Sequence, residues 1–163
     1  MAASGVVENY VQAFRQMVAS CGAVQSWLGV ADETAALGEI EIFSTWSGQA
    51  PPFLVVDIGE DFGESMPGYA GPRDALGSFL LAMEGAHAAG SYASEVSSRE
   101  AFYNAVGDVI GEVMEKGAMA EGVPMFEGWN FEMAPDLWGT EWQENLEQRW
   151  ICQVRFTLKG VSA

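Results

Sequence analysis

The chain has 163 residues, with 23 Asp and Glu against 7 Lys and Arg, one His and a formal net charge of −16. Two lysines and five arginines cannot make the clustered basic patch that neutralises nucleic-acid phosphates. A hydrophobic fraction of 49% with only 18% charged residues excludes a disordered chain, so a compact acidic protein is expected.

Residues 1–163 read as one domain, and a chain of this size buries roughly 68–70% of its unfolded surface without a metal or disulfide staple. Residues 6–21 space Val7, Tyr10, Val11, Phe14, Val18 and Cys21 by threes and fours, which predicts an amphipathic helix. Gly22 interrupts it, and Ala23–Leu28 fits a further short helical turn ending at Gly29. Glu39–Phe43 alternates polar and apolar residues, predicting a half-buried strand. Residues 47–52 form a Gly- and Pro-rich loop, after which Phe53–Ile58 is apolar on both faces, as in a central strand.

A glycine-rich loop is expected from Gly59 to Gly77, then a strand over 78–84 and a small-residue loop over 85–94. Ser97 and Glu100 have capping-box spacing, opening a helix whose apolar face is Phe102, Val106, Val109, Ile110 and Val113. Glu112 and Lys116 make an i,i+4 pair, Gly117 is the expected stop, and Gly107 and Gly111 would permit a close approach. Trp129–Met133 and Trp150–Lys159 alternate as two closing strands, joined by a Trp-rich acidic connection over 138–147. Strands that follow one another without helices between them imply antiparallel pairing. The fold class is therefore α+β, a mainly antiparallel sheet flanked by an N-terminal and a central helix.

Chemistry is sparse. His87 alone cannot build a histidine triad or a multi-histidine zinc site, and it reads as an ordinary loop residue. Cys21 and Cys152 lie in apolar patterns and are expected as buried free thiols, a disulfide being the alternative. Asp57, Glu60, Asp61 and Glu64 are the densest carboxylates, but their order does not match a calcium loop, leaving a solvated surface or a weak divalent-ion site. Phosphate-binding and nucleophile-elbow motifs are absent. No catalytic, cofactor or metal residue is assigned, and a non-enzymatic role is expected. Neither a signal peptide nor a membrane span is read from the sequence.

Surface character offers more. Trp129 and Trp150 belong to apolar strand faces, whereas Trp138 and Trp142 sit among acids, where an aromatic serves core or interface equally well. Phe62, Met66 and Tyr69 in the glycine-rich loop are candidates for ordering by a partner. Charge is segregated: residues 112–147 hold nine acids and one Lys, while the last 16 residues hold Arg149, Arg155 and Lys159 and no acid. A basic edge on the closing strand could then meet an acidic neighbour.

The N-terminal helix running into Ser20–Gly29 and the Ile40–Ile42 strand, the Pro52–Ile58 strand, the Ser98–Gly117 helix and the closing strand Arg149–Gly160 resemble, in that order, the tail terminator (tail completion) proteins of long-tailed bacteriophages. The resemblance spans most of the chain, carries no catalytic signature and does not cover the Gly59–Gly77 loop. It implies a structural virion protein of the tail and neck, assembled in the host cytoplasm as a ring, hexameric in the family. Such a ring caps the tail tube protein, stops its polymerisation and offers a face to the head-side connector, while DNA passes through the lumen unbound. Phe62, Met66, Tyr69, Trp138, Trp142, Arg149 and Arg155 are the candidate interface residues. Two alternatives stand beside it. One is an acidic DNA mimic that inhibits a host nuclease; the other is a small enzyme using paired carboxylates such as Asp57 and Asp61.

Overall fold

A computed structural model of the chain describes residues 5–42, 52–59, 75–86, 91–119, 129–133, 139–143 and 149–160. Three helices come first: α1 (Gly5–Ala19), α2 (Gly22–Leu28) and α3 (Glu33–Glu39). Strands β1 (Ile40–Ile42), β2 (Phe53–Ile58) and β3 (Ala75–Ala86) follow, then α4 (Tyr92–Met119). Strands β4 (Trp129–Met133), β5 (Gly139–Gln143) and β6 (Arg149–Gly160) close the chain. The fold is α+β with a mixed, mostly antiparallel sheet ordered β1-β2-β3-β6-β4, and β5 also pairs with β6.

The apolar spacing of the first helix is realised: Val11, Phe14, Val18 and Cys21 are buried and Tyr10 is half-buried. Helix α2 ends where Gly29 takes a left-handed φ of 71°, a conformation that costs glycine little. Helix α3 was not expected. Its seven residues bury only Ala36, and its ends are fixed by side chains. Asp32 Oδ1 accepts from Ala35 N–H at 2.8 Å, and Arg15 of α1 donates to the Leu37 and Ile40 carbonyls. Glu39 closes this helix and does not begin a strand, so β1 starts one residue later than expected, and Phe43 lies outside the described residues.

Strand β1 pairs with β2 in parallel, correcting the expectation that adjacent strands would all be antiparallel. Strand β3 starts at Ala75, inside the segment read as loop, and continues to Ala86. Helix α4 begins at Tyr92, six residues before the expected start at Ser98. Its cap is Ser91, whose hydroxyl accepts from Ser94 N–H at 3.1 Å; Ser97 and Glu100 are exposed residues inside the helix and make no capping box. Gly117 is buried within the helix, which continues to Met119. Gly107 and Gly111 are exposed and a methyl at either would meet open space, so no close approach explains them.

One sheet face carries Leu54 and Val56, Phe79, Leu81 and Met83, and Trp150, Cys152, Val154 and Phe156 in register across β2, β3 and β6. The helices bury this face. Phe14 stacks on Phe79 with ring centroids 4.7 Å apart and leans on Phe156 at 6.0 Å. From α4 come Phe102, Val106, Val109 and Val113. Gly85 lies beneath Phe102: a Cβ there would sit 2.6 Å from the ring. The opposite face is buried as well at Phe53, Val55 and Ala82, with Ser78 and Glu84 also inside.

Strands β4 and β5 lie end to end along the same edge of β6. Met133 pairs with Phe156 and Gly139 with Gln153. Strand β6 is thus flanked on both sides. The basic closing strand is interior, not the free edge expected from its charge, because β3 pairs along one of its sides and β4 and β5 along the other.

Candidate interface surfaces

Of the seven candidate interface residues, Trp142, Arg149 and Arg155 lie among the described residues. Phe62, Met66, Tyr69 and Trp138 lie outside the described residues, as do His87, Glu60, Asp61 and Glu64. Trp142 stands in register with Trp150 across the β5–β6 pair, and Trp150 is a core residue at 4% exposure. Arg149 opens β6 opposite Ala86 and Gln143. Arg155 lies opposite Leu80 on the face away from the helices, half-buried, with no hydrogen-bond partner for its Nε among the described residues.

Asp57, the described member of the carboxylate cluster, is half-buried on β2, and its Oδ1 accepts from Ile58 N–H at 2.7 Å. No cluster of metal-ligating side chains occurs among the described residues, and no described helix is long and apolar enough to cross a membrane. Cys21 and Cys152 are both buried and share no disulfide, as expected. Burial, reinforced by the charge of Glu112 and opposed by Lys116, pushes the Cys21 thiol up to about 12, so it is a packing group. Burial alone raises the Tyr10 hydroxyl.

Glu112 has a role its sequence spacing concealed. The N-cap of α2 is Cys21, which offers no capping side chain. Glu112 of α4 fills that place from 90 positions away, accepting from Gly22 N–H and Ala23 N–H at 2.8 Å each. A carboxylate on two unpaired donors at a helix N-terminus satisfies both hydrogen bonding and the local dipole. It ties the N-terminal helices to the long one.

A surface patch at the start of α4 was missed. Tyr92, at 83% exposure, and Val96, at 43%, are the exposed large hydrophobics among the described residues, and they lie one helical turn apart. One turn further on, Arg99 Nε and Nη2 donate to the Tyr103 hydroxyl at 3.2 and 3.0 Å. The guanidinium carbon lies 5.4 Å from the Tyr103 ring centroid and 5.3 Å from that of Trp150. Trp150 in turn donates its indole N–H to Ser98 Oγ at 3.2 Å. The signal was legible in the four-three-four spacing of residues 92, 96, 99 and 103. It is lost once residues 85–94 are read as loop.

No family model matches the chain, and no curated protein is significantly similar to it.

Proposed function

We propose that this chain is a structural virion protein of the tail-terminator type, forming a ring at the head-proximal end of a phage tail tube. There it would stop tube polymerisation and receive the head-side connector. The observation that supports the reading is that all the segments carrying the resemblance belong to one packed unit. The Ser98–Gly117 segment lies within α4; it and α1 cover one face of a sheet that includes β1, β2 and β6.

Surfaces, rather than a cleft, would do the work. A ring interface is heterologous and closes by rotation, and it needs two different faces on each copy. The sheet offers two unlike ends: the three-residue parallel strand β1 at one, the interrupted pair β4 and β5 at the other. A chain of charge −16 lining a channel would repel the phosphate backbone and let a genome pass without sticking.

Native mass spectrometry across the micromolar range, with electron microscopy of the same sample, tests the reading. A closed six-copy ring that binds the open end of tail tubes is the expected result. A chain that stays monomeric and competes with DNA for a nuclease would instead select the DNA-mimic alternative.

A further inference from the structure

The exposed patch on α4 continues a buried one. Tyr92, Val96, Arg99 and Tyr103 are followed in the same rhythm by Val106, Ile110 and Val113, of which Val106 and Val113 are buried and Ile110 is half-buried. A single seam therefore runs down the 28-residue helix. Its second half packs into the core. Its first half leaves the sheet: residues 92–97 are all exposed, Arg99 is exposed, and Tyr103 is half-buried. A soluble surface seldom places Tyr, Val, Arg and Tyr on one line with the Arg already held between two aromatic rings.

We propose that this seam is a docking surface for a second copy of the same chain, the first three turns of α4 packing antiparallel about a two-fold axis between positions 97 and 98. The spacing four-three-four reads the same in both directions, so the stripe is complementary to itself, as an isologous contact requires. Tyr92 then lies across from Tyr103 of the other copy, and Val96 across from the stem of Arg99. The charges agree with this register. Exposed Glu95, one turn before Arg99 on the flank of the stripe, comes within one residue of level with Arg99 of the other copy. The pair gains two symmetric Glu95–Arg99 contacts. Two of the five N–H donors of Arg99 are spent on the Tyr103 hydroxyl, and the others have no acceptor among the described residues.

The size of the contact sets its strength. Residues 92–103 span about 18 Å of helix, roughly 10 Å across, a footprint well below that of a standard specific interface. The pairing is therefore a weak, concentration-dependent one. It is a different contact from the ring interface and does not depend on it.

Sedimentation equilibrium of the full chain is the test, with circular dichroism confirming that each variant folds. Val96→Asp and Arg99→Glu are each expected to weaken pairing by about tenfold or more, since about 1.4 kcal/mol corresponds to that factor. The double reversal Glu95→Arg/Arg99→Glu restores it, because the same two contacts form with their signs exchanged. Pairing unchanged by Val96→Asp, or a double reversal as weak as Arg99→Glu alone, overturns the proposal. A six-copy particle whose further pairing with a second particle is unaltered in Val96→Asp also overturns it and leaves the ring reading standing. A two-copy species lost in Val96→Asp, with no six-copy particle, supports the helix pair and counts against the ring.

Discussion

Replacing Glu112 with Ala removes both acceptors from the first turn of α2. In the folded chain its two oxygens each hold a backbone N–H at 2.8 Å, the one from Gly22 exposed and the one from Ala23 partly buried. A lost N-cap costs about 0.5–2 kcal/mol, and a hydrogen bond to a charged group about 1.5–3 kcal/mol when water cannot replace it. Water can replace the exposed bond, so the partly buried one dominates. We expect a loss of about 2 kcal/mol for Glu112→Ala and about half that for Glu112→Gln, which keeps one carbonyl acceptor and loses the charge. For a chain of this length that is a fall in Tm of about 4–8 °C for the Ala variant. Urea unfolding followed by tryptophan fluorescence measures it, and the midpoint should fall with no change in slope. A Glu112→Ala variant within about 0.5 kcal/mol of the parent would refute the capping role, because that is the range of ordinary surface changes.

Gly85→Ala should destabilise by about 1–3 kcal/mol through overpacking against Phe102, since its Cβ would sit 2.6 Å from that ring. Gly107→Ala, facing open space in the same helix as Phe102, should instead stabilise by up to about 1 kcal/mol. The two melting curves must move in opposite directions. Stability should also fall on the alkaline side through Cys21. Its thiol stays protonated to about 12 when folded but ionises near the ordinary thiol value of 9.0 when unfolded, so the native state holds the extra proton. Unfolding then becomes easier above pH 9, by up to about 1.4 kcal/mol per pH unit. Between pH 9 and 10, Cys21→Ala should flatten that slope in urea titrations, and an equal slope in both chains would contradict it.

What the sequence reveals here is what short-range periodicity can encode. The stripe of α1, the apolar β2 strand, the alternation of β6 and the inner face of α4 are each legible from their own residues. Helix α3 is not, because Glu33–Glu39 has no apolar rhythm and stands on contacts from Asp32 and Arg15. The start of α4 hides in small polar residues, and the true cap at Ser91 competes with an equally good-looking one at Ser97. Strand β5 falls among acids and, among the described residues, is paired in register with β6. For the candidate site, Arg149 and Arg155 looked like a basic edge because charge along a chain says nothing about which strands flank it. Tyr92 and Val96 went unnoticed for the opposite reason: a two-residue signal means nothing until the helix is known to reach them.

The position of β6 bears on how the protein is made. Strands β3, β4 and β5 all pair with it, and it follows them in the chain. As the polypeptide leaves the ribosome, β3 emerges with one of its edges waiting for a strand more than 60 residues behind it. Until that strand arrives, Phe79, Leu81 and Met83 lack the neighbours that cover them, and an open strand edge invites pairing with any other nascent chain. Collapse of the α1–α3 segment onto β2 and β3 can begin early, whereas the sheet itself closes only in one late, long-range step. The yield of folded protein should then fall as the concentration of chains still waiting for β6 rises.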